Sequence, residues 1–407
     1  MTRFPKLPCS LVASTCVTAI FASDIALADI KMDYSSNLRY RYEYFDIDAA
    51  PDASKASTLR LGLSVKATFS DSFGAVVDVE AVEQVFEDDY NIPTIPGQAM
   101  PGYPVIADPQ GTELNQAYFS YTGTGGKVQA KLGRQEVMLN NGRFISFSGW
   151  RQNHQSFNGF TGSLTPTASI KVDYGYLTKL LRVTGEESSN GRTDLEAHFV
   201  NAAYTVKDVG VFKAYALLAD FDTELTNSND TFGVRYEGSI PMGNLRFLST
   251  LDYATQTEAG DNPNEIDADY YYLDVGLLAS GIAYRAGYTV LEASSATNKF
   301  ITPLAHPHNG WTELFLNNPS LGSSHGLEVV FVSAAGNVPG MEKLGFVTAL
   351  YDYSANTGGA SYGKGLDFSL EYKPTPKATL GWRYGQYMAD DLFSDSIRTS
   401  VYLGYVF

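Results

Sequence analysis

Cysteine is nearly absent from this sequence, which has two among its 407 residues, Cys9 and Cys16. Both lie in an N-terminal segment with the features of a removable leader, so we expect none in the mature chain. An exported protein without disulfides draws its stability from backbone hydrogen bonds and side-chain packing.

Positive charge is also scarce, with 29 Lys and Arg against 45 Asp and Glu and a formal net charge of −16. A nucleic-acid partner is therefore not expected, because such binding depends on cationic side chains that meet phosphates. After residue 28 no stretch approaches eighteen consecutive apolar residues, which excludes transmembrane helices. No short repeat, low-complexity segment or linker divides the chain, so we expect a single domain.

Residues 1–28 have the pattern of a secretory signal peptide. Arg3 and Lys6 provide a positive start, residues 11–22 are largely apolar, and Ala26-Leu27-Ala28 is a small-residue cleavage site. The apolar stretch is too short to span a bilayer as an anchor. We predict cleavage after residue 28 and a mature domain over residues 29–407.

Alternation of apolar and polar residues is the main signal in the mature chain. In the first such segment Tyr40, Tyr42 and Tyr44 alternate with Arg39, Arg41 and Glu43, as in a strand with one apolar and one charged face. The same pattern predicts about eighteen strands, near residues 30–45, 57–69, 73–86, 113–122, 126–137, 155–164, 168–177, 195–206, 210–221, 230–240, 244–256, 268–278, 281–291, 325–334, 343–353, 362–373, 377–387 and 395–407.

The connections between these strands alternate in length. Those after even-numbered strands are mostly tight turns, and those after odd-numbered strands are mostly long and polar, including 87–112, 138–154 and 292–324. Short periplasmic turns and long extracellular loops are typical of outer-membrane barrels. The last strand ends at Phe407, and a terminal aromatic on an amphipathic strand is the pattern that barrel-assembly machinery reads.

We therefore predict an all-β, transmembrane antiparallel β-barrel in the outer membrane of a Gram-negative cell. Closure of the sheet satisfies every backbone group in hydrocarbon and removes exposed edges. The expected partners are outer-membrane lipid, the assembly machinery and a small-molecule or oligosaccharide solute. No cofactor or metal is expected, although acidic loops leave divalent-cation bridging open.

Two regions of the predicted loops resemble the alginate-export family of outer-membrane porins. The first comprises Gly133-Arg134-Gln135, Asn140 to Phe144 with Arg143, and Gly149-Trp150-Arg151-Gln152-Asn153; the second comprises Thr302 to His306, Asn309-Gly310-Trp311 and Leu314-Phe315-Leu316. The resemblance implies an eighteen-stranded monomeric barrel with an arginine-bearing lumen and loops that fold over or into it. This chain is shorter than the best-known members and has Thr312-Glu313 where they have a small residue and Asp, so the resemblance implies channel function rather than alginate as its cargo.

The polar strand faces place many charged side chains in the predicted lumen, because a charge facing lipid near the bilayer midplane costs a few kcal/mol. These candidate pore-lining residues are Arg39, Arg41, Arg60, Lys131, Arg235, Arg285, Arg383, Arg398, Asp78 and Glu80. Three interpretations stay open: charges that pair across the wall and select nothing, an arginine-lined constriction for an anionic sugar acid or oligosaccharide, and a broad unselective pore. We expect the constriction from loop 87–112 or loop 292–324.

An enzyme is the competing class, as a barrel lipase or protease. The mature histidines are His154, His198, His306, His308 and His325, and no nucleophile–base pair or G-x-S-x-G motif accompanies them. No catalytic residue is therefore predicted. A structural or adhesin barrel without transport is the third alternative.

Overall fold

In a computed structural model, the described part of the chain comprises residues 30–305, 309–316 and 324–407. The signal-peptide prediction over 1–28 and the family-motif residue His306, with His308, lie outside it. The strands are β1 Lys31–Ile47, β2 Ser54–Thr68, β3 Phe73–Asp89, β4 Gly111–Thr122, β5 Val128–Gln135, β6 Ser156–Thr167, β7 Ile170–Leu181, β8 Arg192–Val206, β9 Gly210–Phe221, β10 Asn229–Met242, β11 Leu245–Glu258, β12 Asp267–Ala279, β13 Ile282–Leu291, β14 Leu327–Val338, β15 Met341–Ser354, β16 Ser361–Thr375, β17 Ala378–Ala389 and β18 Ser396–Val406. Short 3₁₀ turns occupy Thr124–Gly126 and Leu225–Asn227.

The strands form one closed antiparallel sheet of eighteen. Each strand pairs with its neighbours in sequence, and β1 closes the ring by pairing with both β2 and β18. In this register Arg39 lies opposite Arg60 on one side and Gly404 on the other. The predicted antiparallel barrel is confirmed, and closure leaves no strand edge to be satisfied.

The two faces of each strand differ as the alternation requires. On β2, Leu61 and Leu63 are 38% and 49% exposed on the chain alone, whereas Thr58 and Arg60 are 1% and 8% exposed. Apolar side chains therefore point outward toward lipid, and polar side chains point inward and are covered by other parts of the chain.

Several strands extend farther than the alternation predicts. β3 continues to Asp89 rather than ending near 86, and β8 begins at Arg192 rather than near 195. At these ends both faces carry polar residues, so the period-two signal disappears although the backbone pairing continues.

Within the described residues, no helix has the length and hydropathy needed to cross a membrane.

Three long connections pack inside the barrel, and we name them loop A (90–110), loop B (136–155) and loop C (292–326, described except for 306–308 and 317–323). Loop A contributes Tyr90, Ile92 and Ile106 to a small buried cluster against Phe45 of β1. Loops B and C contribute to a larger cluster with the inner wall, whose aromatic members include Phe144, Phe300 and Phe315. The core thus lies where the loops meet the wall.

Candidate functional site

Arg41 of β1 is the centre of a buried ion network where loops A and B meet the wall. Its guanidinium is fully buried and contacts the Asp108 carboxylate of loop A. It also donates to the Trp150 carbonyl of loop B at 2.6 Å, and its Nε lies 3.1 Å from Glu43. One wall arginine therefore fixes two loops, because a buried charge is tolerated only when it is paired and hydrogen-bonded.

The network continues to loop C through Arg151 and Arg398. Arg398 of β18 donates from Nε to Glu43 at 2.6 Å and from Nη1 to Glu313 of loop C at 2.8 Å. Arg151 of loop B contacts the same Glu313 oxygen and lies 3.5 Å from Asp108. We call these six residues the ion cage: Arg41, Arg151, Arg398, Glu43, Asp108 and Glu313.

The charges of the ion cage balance, with three guanidinium groups against three carboxylates. Burial disfavours the charge on Arg151, but the carboxylates of Glu313 and Glu43 outweigh it and raise the pKa of this guanidinium above its usual value. With all six groups ionised, the cage presents no net charge to a passing solute.

Arg383 of β17 lies beside the cage in a different environment. Its guanidinium carbon is 3.6 Å from the ring centroid of Trp150 in loop B and 5.1 Å from that of Trp311 in loop C. Within residues 30–305, 309–316 and 324–407 it has no ion pair and donates no hydrogen bond. A small pocket adjoins it, lined by Glu43, Trp150, Trp311, Glu313, Arg383, Gly385, Arg398, Thr399 and Ser400.

Arg39 and Arg60 hold loop B rather than a solute. Arg39 donates to Gln152 Oε1 at 2.8 Å and to the Gly149 carbonyl at 3.2 Å. Arg60 lies 3.2 Å from Glu80 and 2.7 Å from Nε2 of His154. Because a guanidinium only donates, Nε2 of His154 accepts, and its Nδ1 donates to Glu136 at 2.8 Å.

Glu80, Glu136 and His154 are also a geometric candidate for a metal ion, since one ligand atom of each lies within 4.8 Å of the others. Arg60 already occupies the histidine nitrogen and one carboxylate, so a cation would have to replace a fixed positive charge. The arrangement is that of an ion-pair network, which fits the anchoring of loop B better than metal binding.

The remaining predicted lumen residues also face inward, each with a local partner. Arg235 pairs with Asp252 at 2.7 Å and with Glu237 at 2.6 Å, and Arg285 contacts Asp274. Lys131 lies 4.7 Å from the Tyr118 ring, and Asp78 accepts from Asn115 at 3.3 Å. Most lumen arginines are thus paired with carboxylates, as the first interpretation of the sequence expected. Arg39 instead donates to loop B, and Arg383 has neither kind of partner within the described chain.

The family-motif residues of loops B and C bind these loops to each other and to neighbouring parts of the chain. Arg143 donates to Asn309 at 3.1 Å, the Trp311 amide donates to Asp367 at 3.0 Å, and Asn153 donates to the Val183 carbonyl at 3.1 Å. Gly310 adopts a φ of +96°, where a Cβ would lie 2.4 Å from the Tyr353 hydroxyl.

Gly133, Arg134 and Gln135 lie in a strand, as the alternation over 126–137 predicts, and their grouping with the loop motif of the family is wrong. They are the last three residues of β5, held in the ladder by pairing with β4 and β6. Alternation turns Arg134 to the outer face, where it pairs with Glu186 at 2.7 Å.

The sequence did not single out the three cage carboxylates as candidates: Glu43 appeared only on the charged face of the first predicted strand, and Asp108 and Glu313 lie in loops. Asp108 lies in a proline-rich loop, and nothing in the neighbouring sequence distinguishes its carboxylate from carboxylates that face solvent. Glu313 was visible only as a difference from the family pattern. Both become significant through contacts with residues far away in sequence.

Comparisons with known proteins agree with this architecture. A family model described as alginate export matches residues 31–292. OccAB4 and OccAB2 of Acinetobacter baumannii are 14% and 17% identical to this chain, with a TM-score of 0.71 each, and the alignments cover 93% and 92% of this chain and 98% of each of theirs. OpdK of Pseudomonas aeruginosa, in a structure with vanillate, is 12% identical with a TM-score of 0.69, covering 92% of this chain and 98% of its own.

Among curated proteins, none matches the chain in sequence. The structural likenesses show the fold, and the family model shows the family because it matches more than half of the 407 residues. The chain belongs to the alginate-export family and is an outer-membrane barrel of the porin type.

Proposed function

We propose that this barrel is a pore for small organic anions, such as sugar acids or short acidic oligosaccharides, which pass a constriction beside Arg383. The observation that carries the proposal is the state of that side chain. Within the described chain it has neither an ion pair nor a hydrogen-bond acceptor, and its guanidinium lies over the indole rings of Trp150 and Trp311. Arg39 also lacks a carboxylate at ion-pair distance, but it donates hydrogen bonds to loop B.

Stacking and hydrogen bonding use different parts of a guanidinium. The Arg383 guanidinium lies over the indole rings of Trp150 and Trp311, and a stacked guanidinium keeps the N–H groups along its edge for hydrogen bonding. A carboxylate binds that edge through two parallel hydrogen bonds, and the apolar side of a sugar or aromatic ring packs on an indole. Together, Arg383, Trp150 and Trp311 therefore suit a solute that combines a carboxylate with a ring.

The comparisons support the same chemical class. The family description names alginate, and the OpdK structure contains vanillate; both are organic carboxylates. Loops A, B and C narrow the lumen of an otherwise wide barrel, so a solute must pass close to their side chains. The sequence predicts a constriction from loop 87–112 or loop 292–324, and the packing of loops A, B and C against the inner wall supports it.

Reversal potentials in a potassium chloride gradient test the proposal. The wild type should prefer chloride, and Arg383→Gln should shift the reversal potential toward potassium because it removes the uncompensated charge. Arg192→Gln is the matched control, since it removes the same charge from an exposed outward-facing position on β8. Potassium selectivity in the wild type, or an unchanged potential in Arg383→Gln, would contradict the proposal.

We infer in addition that the chain is exported with cleavage after residue 28, is assembled through its last strand, and acts as a monomer. The Phe407 amide donates to the Ser36 carbonyl at 3.0 Å, and its ring is 61% exposed on the outer face, as a recognition residue must be. N-terminal sequencing of the membrane form, assembly of Phe407→Ala in cells and the mass of the purified protein test these three points.

A further inference from the structure

We propose that Arg151 and Arg398 form a carboxylate-binding subsite, and that the Glu313 side chain is a built-in occupant which the carboxylate of a permeating solute displaces. This inference rests on the proposed function and deepens it. Beside the contact with Arg383, it assigns a second carboxylate contact to two arginines that look fully neutralised, and it makes Glu313 a determinant of affinity.

The geometry of Glu313 is that of a bound ligand. One oxygen, Oε2, contacts Arg151 and accepts from Arg398 at 2.8 Å, and the side chain is 6% exposed. Arg151 comes from loop B and Arg398 from the wall, so the carboxylate bridges two separate elements. A solute carboxylate offers the same two oxygens and the same charge.

The backbone that carries Glu313 is fixed on both sides, so the exchange needs only a side-chain movement. Before it, the Trp311 amide donates to Asp367 at 3.0 Å. After it, Phe315 is completely buried and stacks on Tyr353 at 4.5 Å between ring centroids. Glu313 itself has a φ of +60°, a conformation that disfavours a residue with a Cβ and that this anchoring maintains.

The two arginines of the subsite stay in place when the Glu313 side chain moves away, because each of them keeps another carboxylate partner. Arg398 retains Glu43 at 2.6 Å, and Arg151 retains Asp108 at 3.5 Å. Glu43 and Asp108 also hold Arg41, and Glu313 forms no ion pair with that guanidinium. Of the three cage carboxylates, Glu313 is the one whose removal frees donors without releasing loop A.

The neighbouring pocket is small and has room for a carboxylate group rather than for a whole sugar ring. It adjoins Glu313 and Arg398 and is also lined by Trp150, Trp311 and Arg383. A ring placed against the indoles would bring its carboxylate to the subsite, with Arg383 beside it. The solute therefore competes with a tethered carboxylate that is present at high effective concentration.

Block of single-channel potassium chloride current by potassium D-galacturonate tests this competition, with D-galactose as the uncharged probe. Glu313→Gln keeps the shape but weakens the internal competitor, so the half-blocking concentration of galacturonate should fall at least about tenfold. Glu265→Gln is the matched control, because it removes the same charge from an exposed loop and should behave as the wild type. Glu313→Asp keeps the charge on a shorter side chain and should lower the half-blocking concentration by a smaller factor. It is the test variant if Glu313→Gln does not fold.

The outcomes separate this inference from the proposed function. If galacturonate blocks the wild type and Arg383→Gln weakens that block, but both Glu313 variants equal the wild type, the displaceable carboxylate is refuted while the anion pore stands. If galacturonate and galactose act alike in the wild type and in every variant, the proposed function itself fails. Folding of each variant is checked by its heat-modifiable mobility in gel electrophoresis.

Discussion

Replacement of Asp108 by Asn should release loops A and B from the wall without altering the strands. The Asp108 side chain is 1% exposed, contacts Arg41 and accepts from the Gln152 amide at 2.7 Å. Asparagine keeps an oxygen for that amide but removes the charge, which leaves a fully buried guanidinium with Glu43 as its remaining ion pair.

The expected magnitude follows from that burial. Breaking one partner of a buried ion pair costs about 3–5 kcal/mol, and the lower end applies because Glu43 still compensates part of the charge. A loss of about 3 kcal/mol raises the open population of the docked loops by a factor of about 100.

Tryptophan fluorescence during urea titration in lipid vesicles measures this effect, because two of the three tryptophans, Trp150 and Trp311, lie in loops B and C. Asp108→Asn should lose its loop signal at a lower urea concentration, while the β-sheet circular dichroism stays unchanged. Asp222→Asn is the control, since this carboxylate is exposed and its loss should change stability by less than about 0.5 kcal/mol. Coincident titrations of Asp108→Asn and the wild type would refute the reasoning.

Three further changes test other parts of the structure. Gly133→Ala should impair refolding, measured by gel mobility, because φ is +131° and a Cβ would lie 2.3 Å from the Ala117 carbonyl; Gly404→Ala, whose Cβ meets nothing closer than 3.8 Å, should refold normally. Phe315→Ala should destabilise loop C by about 3–5 kcal/mol, measured as faster amide exchange, and unchanged exchange would contradict its role as an anchor. Replacing residues 91–109 by a short turn should raise single-channel conductance, and an equal conductance would show that loop A does not narrow the pore.

The strand pattern was predictable because it is local and repeated. The side chains of a membrane strand must face lipid and lumen in turn, so the sequence of residues 39–44 already shows which of its side chains face the lumen. The same logic correctly placed Arg41, Arg60 and Arg398 inside the barrel. It fell short at the ends of β3 and β8, where polar residues on both faces obscured the strand.

The site was only partly predictable, because its chemistry depends on which charges are neutralised. Arg39, Arg41 and Arg383 look equivalent in sequence, as cationic residues on inward strand faces. In the folded chain the first two hold loop B, and Arg383 is flanked by two indoles instead of a carboxylate. Single-residue identity cannot distinguish these roles, since the distinction lies in the partner.

By itself the sequence determined a closed, two-faced barrel of about eighteen strands and the charged residues that face its bore, because alternation and loop length are short-range properties of the chain. Only the tertiary structure decided how the loops fill that bore: Asp108 meets Arg41 across 67 residues of sequence, and Glu313 meets Arg151 across 162. Such pairs form because charges that are buried together must neutralise one another. The two partners are distant in sequence, so no local sequence pattern predicts them.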